Sequence, residues 1–202
     1  MPAPSKILFL PGASGRTEFW QPVSNLLTHP ANKVIMSWPG FGPVPPEPNV
    51  NGISDLVARV VSEIDQPTAL VAQSMGGIIA ILAALECPDR VTHLVLCVTS
   101  GGIDTAALGA QDWRPESLRD NPSFPRWFVD YRSDLSPEIV NISVPALLLW
   151  GDADPISPLP VGLRLFELLP QSDLHIIAGG HHDLAYTHAT IVAPLIDKHL
   201  AT

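Results

Sequence analysis

Six short apolar runs punctuate the chain, and none of them alternates with polar positions. KILFL (6–10), KVIMSW (33–38), TALVA (68–72), HLVLCV (93–98), ALLLW (146–150) and LHIIA (174–178) are close to continuous in hydrophobicity. A strand that is apolar at nearly every position is covered on both faces, as in a parallel sheet with crossover helices packed above and below it. Between the runs, apolar residues recur at helical spacing over Glu18–Leu27, Ser54–Ile64, Met75–Glu86, Leu159–Leu169 and Thr190–Leu200. Pro88 follows the third of these segments, and Pro194 is expected in the first turn of the last, where a missing amide costs least. The pattern predicts an α/β fold with all strands parallel. Two stretches break the rhythm. GFGPVPPEPNVNG (40–52) is a stiff proline loop, and residues 100–141, with Trp113, Trp127 and Phe128, are too long for a plain connection.

One junction carries chemistry. In TALVAQSMGGIIAILAALE (68–86) a lone hydroxyl, Ser74, stands between a buried strand and a buried helix, with Ala72, Gly76 and Gly77 close on either side. A sharp strand-to-helix turn needs such small neighbours because the two elements nearly touch. The turn holds Ser74 at a helix N-terminus, and the amide of Met75 faces whatever the serine oxygen attacks, where the helix dipole favours negative charge. A helix-capping serine is the plain alternative. A serine is a poor nucleophile unless a base takes its proton and an acid orients that base. Acids follow the fifth apolar run at Asp152 and Asp154, and histidines follow the sixth at His181 and His182.

AQSMGG resembles the nucleophile elbow of the α/β-hydrolase fold superfamily, Gly-x-Ser-x-Gly, with Ala72 in place of the first glycine. The resemblance extends over nearly the whole chain. It implies the order serine, acid, histidine. The family's Gly-x-x-Asp-x-x-x-Pro pattern falls on Gly151, Asp154 and Pro158, which makes Asp154 the acid and Asp152 a turn-former. Asp104, after the preceding run, is the alternative used by some relatives. The family's Gly-His pair falls on Gly180-His181, which implies His181 as the base. FLPGASGRTEFW (9–20) is similar to the oxyanion loop, with the Ala13 amide as the second donor beside Met75. Pro11 replaces the histidine that braces that loop, so what braces it here is open. The implied fold is a three-layer sandwich on a six-stranded sheet of order 2-1-3-4-5-6, without the first two strands of larger members. Residues 1–202 form one domain in this reading, with a short flap at about 100–141 over a shallow site.

Composition narrows the partners. The chain has 202 residues, 46% of them hydrophobic, and a net charge of −9 with no Lys/Arg cluster, which argues against nucleic acid and anionic membrane surfaces. The start has neither signal-peptide form nor the length to span a bilayer, so a cytoplasmic protein is expected. Cys87 and Cys97 lack metal or redox spacing and read as free buried thiols. No cofactor or metal is implied; vicinal His181 and His182 rarely reach one ion. The expected activity is a serine hydrolase cleaving a small ester or thioester. The alternatives are a C–C bond hydrolase or lyase with the same three residues, and a non-catalytic binding protein that uses the Pro43–Pro48 loop as its contact surface. Oligomeric state is left open by the sequence.

Overall fold

The computed structural model describes residues 2–202. Six strands, β1 (Lys6–Leu10), β2 (Asn32–Ile35), β3 (Thr68–Gln73), β4 (Val91–Cys97), β5 (Ala146–Gly151) and β6 (Ser172–Ile177), form one sheet in the order β2-β1-β3-β4-β5-β6. Every pairing is parallel. The four central strands are buried along their whole length, as their unbroken apolar runs require. The edges depart from the expectation of two covered faces. β2 is only partly covered and ends at Ile35, short of the apolar run that continues to Trp38, and β6 leaves Ile176 about half exposed.

Helices α1 (Gln21–Leu26), α2 (Ile53–Glu63), α3 (Met75–Glu86), α4 (Arg114–Asp120), α5 (Arg126–Val129), α6 (Ser136–Ile139), α7 (Leu159–Leu168), α8 (Leu184–Thr187) and α9 (Ala189–Leu200) connect or flank the strands. α3 is apolar all round because it is sandwiched: its exposed length is negligible, and only Leu82, Leu85 and Glu86 keep partial contact with solvent. Pro194 does not sit in a first turn. It lies inside α9, past the first turn of a helix that starts at Ala189 directly after the short turn of α8. Cys97 is fully buried and Cys87 only half-buried, and both are free thiols. Among the described residues no helix is long and apolar enough to cross a membrane.

The chain order reverses between β1 and β3, which lead to neighbouring strands on opposite sides. In open parallel sheets a crevice forms at the C-terminal ends of such a pair. The register places Leu10 beside Ala72, so Pro11 to Ala13 and Ser74 emerge together from the sheet.

The opposite end of the sheet is closed by two buried histidines. His93 on β4 and His199 on α9 meet edge to face with centroids 5.1 Å apart. His93 also contacts the hydroxyls of Thr92 and Thr202, and the Nε2 of His199 has no partner among the described residues. Burial, followed by the neighbouring His199, holds the His93 pKa down at about 4 from 6.5, and burial lowers that of His199 as well. Both rings are therefore neutral in the native state, and unfolding takes up protons between about pH 4 and pH 6.5. Their contribution to stability is complete above pH 6.5 and is lost as the pH falls toward 4. Asp65, Asp112, Asp134 and Asp197, whose pKa values are lowered from 3.8, add a further loss only below about pH 5, so the comparison with a His93 variant isolates the histidine part. Urea unfolding should show stability falling by on the order of 2–3 kcal/mol across the window, and His93→Gln should remove most of that slope; a flat profile would contradict the neutral pair.

Candidate active site

Ser74 has φ 53° and ψ −122°, a backbone conformation rarely adopted by a residue with a side chain. The strain follows from the turn itself: β3 must end and α3 begin within one residue. A Cβ on Gly76 would collide with the carbonyl oxygen of Leu10, so α3 can approach β1 only with glycine there. The Ser74 backbone is pinned from both ends. Its N–H donates to the Cys97 carbonyl at 3.2 Å, and its carbonyl accepts from the Thr99 hydroxyl at 2.6 Å. Thr99 is pinned in turn, since its carbonyl accepts from Ser157 Oγ at 3.1 Å, in the loop that carries Asp154.

Asp154 follows β5, and its side chain is completely buried. Its Oδ1 accepts the Ile156 amide at 2.8 Å and its Oδ2 contacts His182 Nδ1 at 2.7 Å. The other nitrogen of that ring, Nε2, lies 3.0 Å from Ser74 Oγ. Ser74, His182 and Asp154 thus form one continuous chain of hydrogen bonds from three different strand ends. Both nitrogens of His182 are engaged within it, so neither is free to ligate an ion. A neutral imidazole between a carboxylate and a hydroxyl donates through Nδ1 and accepts through Nε2, the arrangement that lets it remove the hydroxyl proton.

The histidine is one residue later than the expected His181. His181 is exposed, and its side chain makes no hydrogen bond among the described residues. The reason lies in Gly180, whose carbonyl accepts the Ala153 amide at 3.1 Å and which packs so closely on Gly151 that a Cβ there would strike it. The Gly-Gly turn is consumed in joining the histidine loop to the acid loop, and the chain rises toward Ser74 only at the following residue. Asp152 belongs to the same junction. Its Oδ1 accepts the Gly179 amide at 2.7 Å across the two loops, a bridge rather than a turn within its own loop. Asp104 is exposed and lines the cavity, but its carboxylate accepts the Ala106 amide at 3.0 Å and makes no hydrogen bond to the histidine.

Ala13 and Met75 line the same cavity as Ser74, and among the described residues neither backbone amide has an acceptor. The brace that Pro11 cannot provide comes from two buried indoles. Trp38 Nε1 donates to the Pro11 carbonyl at 2.8 Å, and Trp20 Nε1 donates to the Leu10 carbonyl at 3.3 Å. Neither tryptophan stood out in the sequence, because a Trp at a strand end reads first as core. Val98, after β4, is a second residue held at positive φ (39°), and it too faces the cavity.

The cavity holds about 970 Å³, larger than a shallow site under a flap. Residues 103–133 do not lie flat; they fold into turns and the helices α4 and α5 that wall it. Trp113 stacks on Phe128 with centroids 5.3 Å apart, and both line the cavity, so these rings are packing and wall at once. Trp127 only packs, edge-on against Phe41 at 5.7 Å. Phe41, fully buried, also meets Phe124 and Phe128 and so anchors the whole aromatic wall to the turn after β2.

Residues 7–195 match the model of the alpha/beta hydrolase family. A 2-hydroxy-6-oxononadienedioate/2-hydroxy-6-oxononatrienedioate hydrolase of Burkholderia vietnamiensis is 27% identical over 233 aligned positions, covering 89% of this chain and 80% of that protein. Among solved structures, a thermophilic esterase from Thermogutta terrifontis superposes with a TM-score of 0.79 at 20% identity, over 97% of this chain and 89% of the other. A meta-cleavage product hydrolase from Pseudomonas fluorescens IP01 also gives 0.79 at 20% identity, over 98% and 90%.

The indole brace is testable by stability alone. Trp38→Phe keeps an aromatic ring but leaves the buried Pro11 carbonyl without a donor, which should lower the free energy of urea unfolding by about 1–3 kcal/mol. A loss within error of zero would mean that the Pro11 carbonyl does not depend on Trp38. The chain, by its match over nearly its full length and its six-stranded sheet, belongs to the alpha/beta hydrolase family.

Proposed function

We propose that the protein is a serine hydrolase in which Ser74, His182 and Asp154 act together on a carbonyl substrate. The observation that carries the reading is the unbroken contact series Ser74 Oγ to His182 Nε2 at 3.0 Å and His182 Nδ1 to Asp154 at 2.7 Å. It is supported by the two unpartnered amides of Ala13 and Met75, which line the cavity beside Ser74. Family membership and relatives named as hydrolases point the same way.

His182 Nε2 takes the Ser74 proton as Oγ attacks the carbonyl carbon, and the carbonyl π electrons move onto oxygen. The Ala13 and Met75 amides donate to that oxyanion, assisted by the N-terminal dipole of α3. Collapse of the adduct expels the leaving group, which receives the proton from His182, and leaves Ser74 acylated. Water then repeats the sequence: His182 takes its proton, the hydroxide adds to the acyl carbon, and Ser74 regains its hydrogen as the acid departs. Asp154 accepts from His182 Nδ1 throughout and stabilises the imidazolium.

An ester or thioester is the substrate class we favour, because the mechanism needs nothing beyond these residues. A C–C bond hydrolase is the second reading. It is favoured by one observation, the relatives named for cleavage of 2-hydroxy-6-oxo dienedioates, and it differs in the leaving group, a carbanion that must be protonated at carbon.

Kinetics of single variants on p-nitrophenyl esters test the assignment. Ser74→Ala and His182→Ala should each reduce kcat by several orders of magnitude without loss of fold, whereas His181→Ala should stay within a few-fold of the wild type. A dead His181→Ala enzyme beside an active His182→Ala enzyme would overturn it.

A further inference from the structure

Gln73, the residue immediately before the nucleophile, ends β3 opposite Cys97 and is only 5% exposed. Its carboxamide does not point into the sheet. Nε2 donates to the main-chain carbonyl of His182 at 3.0 Å, across 109 residues of chain. The other end of the amide, Oε1, lies against Gly12, so closely that a Cβ on Gly12 would collide with it. Gly12 is the residue next to the oxyanion donor Ala13. One side chain therefore stands between the nucleophile, the histidine loop and the oxyanion loop, and touches the backbone of both loops.

Resting on the reading above, we infer that Gln73 is a positioning residue that sets the height and azimuth of the His182 ring over Ser74 and the lateral position of the Gly12–Ala13 turn. The physical case is one of constraint. Asp154 fixes the ring at Nδ1, and once Ser74 Oγ gives up its proton and turns to the carbonyl carbon, that one hydrogen bond leaves the imidazole free to swing about it. The loop bearing His182 rests on Gly180 and Gly179, and its main chain is tied to the acid loop by Gly180 to Ala153 and Gly179 to Asp152. Those ties fall two and three residues before His182, not at His182 itself. The Gln73 amide supplies the anchor at the backbone of His182. It grows from the same strand end as the nucleophile, so base and nucleophile share one frame of reference. Gln73 lines the cavity but is only 5% exposed, so little solvent can replace the contact if it is lost.

The test separates positioning from packing. Gln73→Met keeps length and flexibility but has no donor, and Gln73→Glu keeps shape but sets an acceptor against an acceptor. Both should lower kcat about 10- to 100-fold, the cost of a displacement near 1 Å at a reacting centre. KM should stay within two-fold, because acylation and deacylation both use His182 and slow together. Either folded variant turning over at the wild-type kcat, or losing activity through KM alone, would overturn the inference. If both variants fail to fold, the wild-type protein decides: the assigned side-chain amide protons of Gln73 should be protected from solvent exchange, and free exchange would overturn it. Ser74→Ala keeps the two proposals apart. An active Ser74→Ala enzyme sinks the hydrolase reading, while a dead one beside fully active Gln73 variants sinks only the role of Gln73.

Discussion

The whole site depends on the turn at Ser74. A β-strand and an α-helix, both buried, must meet within one residue, and the backbone absorbs the mismatch as a positive φ that costs on the order of 1–3 kcal/mol. That strain persists because packing leaves no other solution. Gly76 lets α3 lie against the end of β1, the Ser74 amide and carbonyl are held by Cys97 and Thr99, and α3 is locked in an apolar sheath. The surrounding core stabilises the strained residue, and the strained residue in turn lifts its hydroxyl clear of the sheet. Everything else in the site is placed relative to that oxygen.

Three strand ends then converge by means of short backbone ties. Gly151 and Gly180 touch, Asp152 and Gly179 are bridged, and Ser157 reaches the Thr99 carbonyl. These contacts make the acid loop, the histidine loop and the elbow a single polar network in which, among the described residues, the buried side-chain groups have partners. Partly satisfied networks of this kind are costly in a low-dielectric interior, whereas complete ones are rigid. Rigidity here has a chemical use, because a base is effective only if it is already at hydrogen-bond distance from the proton it removes.

The parallel strands and the elbow were legible in the sequence because each rests on a local rule, and the strand order followed from the resemblance. Continuous apolar runs mean covered parallel strands, and small residues around Ser74 mean a close strand–helix junction. Asp154 was legible only through the resemblance, whose acid pattern falls on Gly151, Asp154 and Pro158. What the sequence could not separate was His181 from His182. Both follow the glycine pair, and only the contact of Gly180 with Gly151 and Ala153, fixed by tertiary packing, spends that glycine on the acid loop and delivers the second ring. The indole braces of Trp20 and Trp38 and the size of the cavity were hidden likewise. A tryptophan near a strand end reads as core, and the length of residues 100–141 does not disclose that the segment stands up around an aromatic cluster seeded by Phe41. The edge strands misled in the opposite sense: the runs KVIMSW and LHIIA read as covered on both faces, yet β2 is only partly buried and β6 leaves Ile176 exposed.

The account stands or falls on whether Ser74 is an activated nucleophile. Incubating the intact protein with a fluorophosphonate and locating the adduct by peptide mass spectrometry measures this directly. One phosphonate per chain, carried on Ser74 and absent after His182→Ala, is the expected result; no adduct on Ser74, or equal labelling without His182, would contradict the account.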